Sequence, residues 1–186
     1  MLSMDEKKKF LRMAISCLNN ENETDHTLKK MNSGKPIPTK EEEKSIKEGL
    51  QTGKISDELL KKFFKMAYDG SVKNGVYSHF FDGHNRYLWQ LVKAGKIDKE
   101  TADWCTARPG RIKGINGSNI LVETDDGETI STSAFVYNGI SLVDKSKVVE
   151  GAYVANHRGK IHMILSDVDY KTASKFYKKF KKESEI

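Results

Sequence analysis

The sequence predicts an α+β protein: an all-helical N-terminal domain, then a small OB-like β-barrel with a C-terminal helix. Apolar residues recur at helical spacing in the first half, whereas apolar and polar residues alternate with a period of two from Gly110 onward. Turn signals such as Asn-Gly at 116–117 and Arg-Gly at 158–159 divide the second half into short segments. We therefore expect a helical domain at 1–104 and a barrel domain at 105–186.

The composition restricts the cellular setting. Charged residues make up 31% of the 186 residues and the net charge is +6, which predicts a soluble protein with a mild preference for anionic partners. This charge alone does not indicate nucleic-acid binding, because Lys and Glu alternate on what the sequence predicts to be solvated helix faces. Two cysteines are too few for a disulfide framework, which favours a reducing compartment. The first residues lack the apolar core of a signal peptide, and no stretch approaches the roughly 18 apolar residues of a membrane span. We expect a cytoplasmic protein that does not enter a membrane.

The first part of the chain carries clear helix signals separated by a loop-like stretch. Apolar residues in 4–18 share one helical face, and the polar, proline-containing stretch 19–38 is typical of a loop. Thr39 then begins a helix, because Glu42 three residues later completes a capping box.

A short turn motif occurs twice, at Gly53-Lys-Ile-Ser-Asp-Glu and at Gly95-Lys-Ile-Asp-Lys-Glu. In each copy the glycine suits a left-handed helix end, and the Ser or Asp three residues later suits the cap of the next helix. The repeat predicts two helical hairpins, which pair 39–52 with 57–69 and 84–94 with 98–105.

An aromatic and polar segment at 77–87 lies between the two hairpins and contains His79 and His84. If 79–84 forms a turn, the two imidazoles could reach a common site, which makes them second-rank metal-ligand candidates. The alternative is structural: the aromatic residues join the hairpins, and His84 or Asn85 caps the following helix.

The second half predicts five strands and one helix. Two alternating segments flank Asn116-Gly-Ser, a third follows Asp125-Asp-Gly, and two more flank Arg158-Gly159. A helix then runs from Ser166 to about 182, with Val168, Ala173 and Phe176 or Tyr177 facing inward. Five short strands followed by a packing helix are typical of a small closed or nearly closed barrel.

Two segments of the barrel domain resemble a known family. Cys105-Thr-Ala-Arg-Pro-Gly-Arg-Ile is similar to the opening signature of the HypC/HupF family of small hydrogenase-maturation chaperones. Glu150-Gly-Ala-Tyr-Val-Ala-Asn-His-Arg-Gly resembles the later segment of that family, in which a strand leads to a histidine, one further residue and a glycine. The resemblance covers about 105–182.

The resemblance implies an OB-like barrel and a specific cargo. In that family a cysteine and a histidine serve in holding or transferring iron with cyanide and carbon monoxide ligands during nickel-iron hydrogenase assembly. Cys105 and His157 would fill these roles here, with a maturation partner protein or a metalloenzyme client. Pro109 and Gly110 would shape the first turn, and Gly159 would let the hairpin bend beside the histidine.

The same pair has plausible chemistry without the family. Thiolate and imidazole suit iron, zinc and copper, and Arg108 and Arg111 would favour the thiolate form of Cys105. Two ligands are too few for a closed structural metal site, which suits a carrier that must release its cargo. The alternative is an ordinary barrel, in which Cys105 is a buried apolar residue and His157 caps a turn.

One departure from the family concerns the residue before the cysteine. In the chaperones the cysteine follows the initiator methionine, whereas Trp104 and a helix precede Cys105 here. We therefore expect a covered or redirected site, in an assembly chaperone or carrier rather than an enzyme. The alternatives are an OB-like module that binds nucleic acid, disfavoured by the few aromatic residues in the strands, and an enzyme with Cys105 as nucleophile and His157 as base.

Overall fold

The computed structural model describes residues 1–184 and confirms the α+β class, with N-terminal helices, a closed five-stranded barrel and a C-terminal helix. The helices are α1 (Met4–Ala14), α2 (His26–Asn32), α3 (Lys40–Thr52), α4 (Asp57–Asn74), α5 (Val76–Ser78), α6 (Asn85–Lys93), α7 (Lys99–Cys105) and α8 (Asp167–Ser184), with a π-helical turn, His79–His84, between α5 and α6. The strands are β1 (Arg108–Asn116), β2 (Asn119–Thr124), β3 (Thr129–Ala134), β4 (Val136–Tyr137), β5 (Ile140–Ser141), β6 (Tyr153–His157) and β7 (Lys160–Leu165). Within the described residues, none of these helices has the length and apolarity needed to cross a membrane.

The chain forms two compact units that do not follow its order strictly. The first unit contains Met1–Val76 together with Tyr137–Ile140, and the second contains Tyr77–Val136 and the chain from Ser141 onward. Helices α6 and α7 therefore group with the barrel. The division at 104 and 105, which follows the change from helices to strands, stays a prediction.

The first unit is a helical bundle whose core forms around Phe10 of α1. This ring contacts Phe64 and Tyr68 of α4 edge to face, with centroids 6.0 and 5.9 Å apart. Offset or edge-to-face aromatic pairs add about 0.5–1.5 kcal/mol to the burial of their surface. The prediction of a loop throughout 19–38 is wrong, because Asp25 accepts hydrogen bonds from the backbone of Thr27 and Leu28 and thereby begins α2.

The duplicated turn motif has the predicted local chemistry in both copies. Gly53 and Gly95 have φ angles of 80° and 67°, and Ser56 and Asp98 cap the helices that follow. The surroundings of the two glycines differ. A Cβ on Gly53 would lie 2.0 Å from the carbonyl oxygen of Met4, whereas one on Gly95 would meet nothing within 4 Å.

The barrel of the second unit has the strand order β1-β2-β3-β7-β6, and β1 closes it by pairing with β6. All neighbouring strands are antiparallel except β3 and β7, which run parallel and pair only at Ser133↔Lys160 and Ala134↔Ile161. The core is aliphatic, and its buried members are Ile112, Ile120, Val122, Val143, Val154 and Ile161. Polar side chains are also buried on the strands, among them Thr132, Asn156 and His162.

Helix α8 packs on the barrel through one apolar face. Ala173, Tyr177 and Phe180 are buried, as the helical periodicity predicts for the first two. The predicted inward position of Val168 is wrong, since its side chain is 73% exposed. Val168 precedes Tyr177 by nine residues, about two and a half turns at 3.6 residues per turn, so the two side chains point to opposite sides of the helix.

Candidate functional site

Cys105 is the last residue of α7, and its side chain is only 1% exposed. Asp98 begins this helix by accepting a hydrogen bond from the Thr101 backbone, and the helix ends where Thr106 turns to extended backbone. The Thr106 hydroxyl donates back to the carbonyl of Ala102 at 2.8 Å. These local bonds hold the thiol at the junction between α7 and β1.

Asn85 fixes the chain immediately after the cysteine. Its amide nitrogen donates to the carbonyl of Ala107, and its amide oxygen accepts from the backbone nitrogen of the same residue, both at 2.8 Å. The amide nitrogen also donates to the carbonyl of Phe81 at 3.2 Å. The Asn85 side chain therefore pairs with both backbone groups of Ala107, as a neighbouring strand would. The prediction that the Asn85 side chain caps a helix is wrong.

Four histidines form a continuous row of rings, here named the imidazole cluster: His79, His84, His157 and His162. The centroid separations along the row are 6.3 Å from His79 to His84, 5.2 Å from His84 to His157 and 5.5 Å from His157 to His162. Phe80 contacts the first three rings, and Phe135 stacks on the last at 4.8 Å. The π-helical turn supplies the first two histidines, and the β6–β7 hairpin supplies the other two.

His84 connects this cluster with Cys105. Its Nε2 lies 3.4 Å from the carbonyl oxygen of Cys105, and its ring stands perpendicular to that of His157. The structure therefore brings His84 to both residues of the predicted Cys-His pair. His79 is one ring further away and reaches the pair through His84 and Phe80.

The environment of the cluster keeps its first two imidazoles neutral. Burial lowers the pKa of His79 to about 4, because desolvation disfavours the charged ring. Burial also lowers the pKa of His84 to about 3, assisted by repulsion from the protonated form of His79 and by the positive charge of Arg158. Neutral imidazole is the form that ligates metal ions.

The described His, Cys, Asp and Glu side chains do not form a complete site for a metal ion. Among residues 1–184, no group of three or more His, Cys, Asp and Glu side chains is arranged to hold a metal ion. Cys105 and His157 are both buried in the second unit, each within reach of His84. The assignment of these two residues as ligands stays a prediction.

Arg108 and Arg111, which follow Cys105 in the motif, contact Asp103 and Gly151. Arg108 donates to the backbone carbonyl of Asp103 at 2.8 Å and also forms an ion pair with its carboxylate. Arg111 is exposed, and its Nε donates to the carbonyl of Gly151 at 3.2 Å. Both contacts join chain segments of the barrel unit, and the predicted effect of the two charges on the thiol stays a prediction.

The predicted shape-determining residues occupy a strand and a turn. Pro109 and Gly110 lie within β1 rather than in a turn, and a Cβ on Gly110 would lie 2.7 Å from the carbonyl oxygen of Glu123. Gly159 lies in the β6–β7 turn with a φ angle of 68°, where a Cβ would lie 3.0 Å from the indole nitrogen of Trp104. The missing side chain thus lets the hairpin approach Trp104.

Sequence reasoning missed His162 and the pairing role of Asn85. His162 follows the β6–β7 turn by three residues, so the hairpin register was the signal that could have placed it near His157. Arg158 has a φ angle of 52°, which is rare without glycine, and its guanidinium lies 5.9 Å from the ring centroid of Trp104. No local pattern indicates the pairing of Asn85 with Ala107.

Comparison with protein-family models, with curated proteins and with solved structures finds no match to this chain.

Proposed function

We propose that the protein is a metallocluster maturation chaperone or carrier similar to the HypC/HupF family, which holds an iron fragment through Cys105 and His157. The observation that carries the proposal is the position of His84, whose ring lies 5.2 Å from that of His157 and whose Nε2 lies 3.4 Å from the Cys105 carbonyl. This position supports the proposal, because it relates Cys105 and His157, which come from separate chain segments, through one imidazole.

The chemistry of these side chains suits such a cargo. Thiolate and imidazole are ligands for iron, and the lowered pKa values of His79 and His84 keep those rings neutral at physiological pH. Binding would displace the proton of the Cys105 thiol, so cargo affinity should rise with pH. His84 would act as the neighbouring residue that orients the ligand pair.

A carrier must also release what it binds. Two protein ligands leave open positions on the metal, through which a client or a maturation partner could take over the cargo. Because Cys105 is 1% exposed, loading and release require movement of the chain around the thiol. The π-helical turn His79–His84 is the candidate for this movement, since π-helical turns recur at functional sites.

The proposal can be tested by anaerobic titration of the full chain with Co²⁺ as a spectroscopic substitute for Fe²⁺. We expect a thiolate-to-cobalt charge-transfer absorption that disappears in Cys105→Ser and loses intensity in His157→Gln. His84→Gln should weaken binding by about tenfold, which is typical for the neighbour of a metal ligand. Cys17→Ser and His26→Gln are the matched controls in the first unit, and both should bind as the unmodified chain does.

A second measurement addresses the nature of the cargo. Protein purified without oxygen from cells that assemble nickel-iron hydrogenase should show cyanide and carbon monoxide stretches in the infrared, and Cys105→Ser should not. Absence of these bands together with unchanged Co²⁺ spectra in Cys105→Ser would contradict the proposal. Rapid alkylation of Cys105 that depends on His157 would instead favour the alternative of a Cys-His enzyme.

A further inference from the structure

A polar groove lies on the barrel and uses no residue of the imidazole cluster. It has a volume of about 310 Å³ and is lined by Ser118, Asn119, Ser131, Thr132, Ser133, Gly159 and Lys160. These residues come from the β1–β2 turn, from β3 and from the β6–β7 turn with the start of β7.

The strand pairing explains why the barrel opens here. β3 pairs with β2 from Thr129 to Thr132, but its parallel pairing with β7 starts only at Ser133. The segment of β3 before Ser133 therefore borders a gap beside the β6–β7 turn. In OB-like barrels the face of the second and third strands, with the loops between strands 1 and 2 and strands 4 and 5, is the usual ligand position. The groove occupies that position.

The lining of the groove is rich in hydrogen-bond donors and carries one positive charge. Lys160 donates to the Ser133 hydroxyl at 3.2 Å, which uses one of its three ammonium protons. Ser131 donates to the side-chain oxygen of Asn119 at 2.5 Å, so the amide nitrogen of Asn119 can face a ligand. No carboxylate belongs to the described lining residues, and Lys160 forms no ion pair with the described acidic residues. Such a lining favours an anion with several acceptor oxygens.

We propose that this groove binds the phosphate group of a phosphorylated ligand, with the Lys160 ammonium, the Ser133 hydroxyl and the side-chain amide nitrogen of Asn119 as donors. The lining contains no aromatic side chain on which a base could stack. The observations thus favour a small phosphate ester over the backbone of a single-stranded nucleic acid. Because the groove shares no residue with the Cys-His pair, the two proposals succeed or fail separately.

The test is an amide chemical-shift titration of the full chain with three ligands: inorganic phosphate, a nucleoside monophosphate and a single-stranded oligothymidylate. We expect the monophosphate to shift the amides of Ser131, Ser133 and Gly159. Lys160→Met should weaken its affinity by about tenfold, as expected when a charged hydrogen bond to an anion is lost. Lys113→Met is the matched control, because Lys113 is an exposed lysine of the same barrel that pairs with Glu123 at 2.9 Å; its affinity should change by less than about twofold.

The outcomes of the titration distinguish a small phosphate ester from a nucleic-acid strand, or they overturn the proposal. Tighter binding of the oligonucleotide than of the monophosphate, with a steep dependence on salt, would assign the phosphate to a nucleic-acid strand. Equal shifts with chloride at the same ionic strength would overturn the proposal, as would shifts that survive Lys160→Met. An unchanged melting temperature of Lys160→Met shows that the loss of binding is local; if that variant is unstable, Ser133→Ala supplies the same test.

Discussion

Two polar clusters in the barrel unit bury ionisable side chains in opposite ways. In the imidazole cluster, burial lowers the pKa of His79 and His84 to about 4 and about 3, so that these rings remain neutral. The second group, here named the carboxylate cluster, consists of Asp125 and Asp126 with their partners Tyr170, Tyr177 and Lys181. Burial opposes the charge of Asp126, yet hydrogen bonds from Thr124, Tyr177 and Lys181 outweigh it and hold its pKa at about 2.

The two clusters differ in whether their buried groups keep a charge. Asp126 keeps its charge because neighbouring donors compensate it, and the hydrogen bonds of Asp125 and Asp126 join α8 to the turn between β2 and β3. His79 and His84 have lost their charge, and the rings of the imidazole cluster pack against Phe80 and Phe135. A carboxylate with hydrogen-bond donors around it, such as Asp126, fits a structural role, whereas a neutral imidazole keeps one nitrogen lone pair as an acceptor.

The largest expected effect is the loss of stability when the imidazole cluster is acidified. An unfolded histidine takes up its proton near pH 6.5, whereas folded His79 does so only near pH 4, so unfolding absorbs a proton within this window. The free energy of unfolding should therefore fall as the pH is lowered from 6.5 to 4, by on the order of 3 kcal/mol for His79 alone. Urea unfolding at a series of pH values measures this slope.

Two histidine variants show how much of this pH dependence comes from the imidazole cluster. His79→Gln should reduce the slope between pH 6.5 and 4, whereas His26→Gln, which changes an exposed histidine of α2, should leave it unaltered. An unreduced slope in His79→Gln would mean that the ring is not buried as a neutral group.

The next effect concerns Asn85, whose side chain holds the backbone of Ala107, two residues after Cys105. Asn85→Ala removes two hydrogen bonds to Ala107 and leaves its buried backbone groups without that partner. We expect a loss of about 3 kcal/mol in unfolding free energy and faster alkylation of Cys105. Gln90→Ala, an exposed amide on the same helix, should change neither quantity appreciably. Equal alkylation rates in both variants would remove the positioning role of Asn85.

A smaller effect should follow from removing the charge of the carboxylate cluster. Since the pKa of Asp126 is lowered from 3.8 to about 2, its stabilising contribution is present above pH 3.8 and is lost as the pH falls to 2. Asp126→Asn should therefore cost about 2 kcal/mol at pH 7 and nothing below pH 2. Glu128→Gln, an exposed carboxylate nearby in sequence, is the control. A cost that persists undiminished at pH 2 would assign the effect to packing rather than charge.

The smallest effect tests a single hydroxyl of the same cluster. Tyr170→Phe removes the hydrogen bond to Asp125 at 2.6 Å but keeps the ring that stacks on Tyr153 at 3.9 Å. The expected loss is about 1 kcal/mol, measured by thermal unfolding against Tyr87→Phe, in which the altered ring is exposed. A loss well above this would show that the stack itself depends on the hydroxyl.

Local signals in the sequence predicted much of the fold. The capping box of Thr39 and the left-handed glycines at 53 and 95 lie where they were expected, because each depends on backbone geometry within a few residues. Helix α2 was missed, since its seven residues carry too weak a periodicity to stand out from the polar stretch around it. Val168 was assigned to the wrong face because one apolar residue near a helix end does not define a stripe.

The candidate site was only partly predictable for a related reason. Cys105, His157, His79 and His84 could be selected by their chemistry and by the resemblance of two motifs, but the distances between them could not. The separation of His84 from His157, which is 73 residues further along the chain, depends on the π-helical turn and on the β6–β7 hairpin. His162 and Asn85 escaped notice because their partners are set by strand register and by a non-local hydrogen bond.

The sequence by itself therefore determined most of the elements: the helices that carry clear periodicity and caps, but not α2, and the turns that connect five alternating strands. These depend on short-range hydrogen bonds and on side-chain periodicity, which a chain carries locally. Tertiary structure alone decided that His84 lies between Cys105 and His157, that its charge is lost through burial, and that an incomplete β3–β7 pairing opens a polar groove. Desolvation and strand closure arise only when distant segments pack together, so no local pattern could encode them.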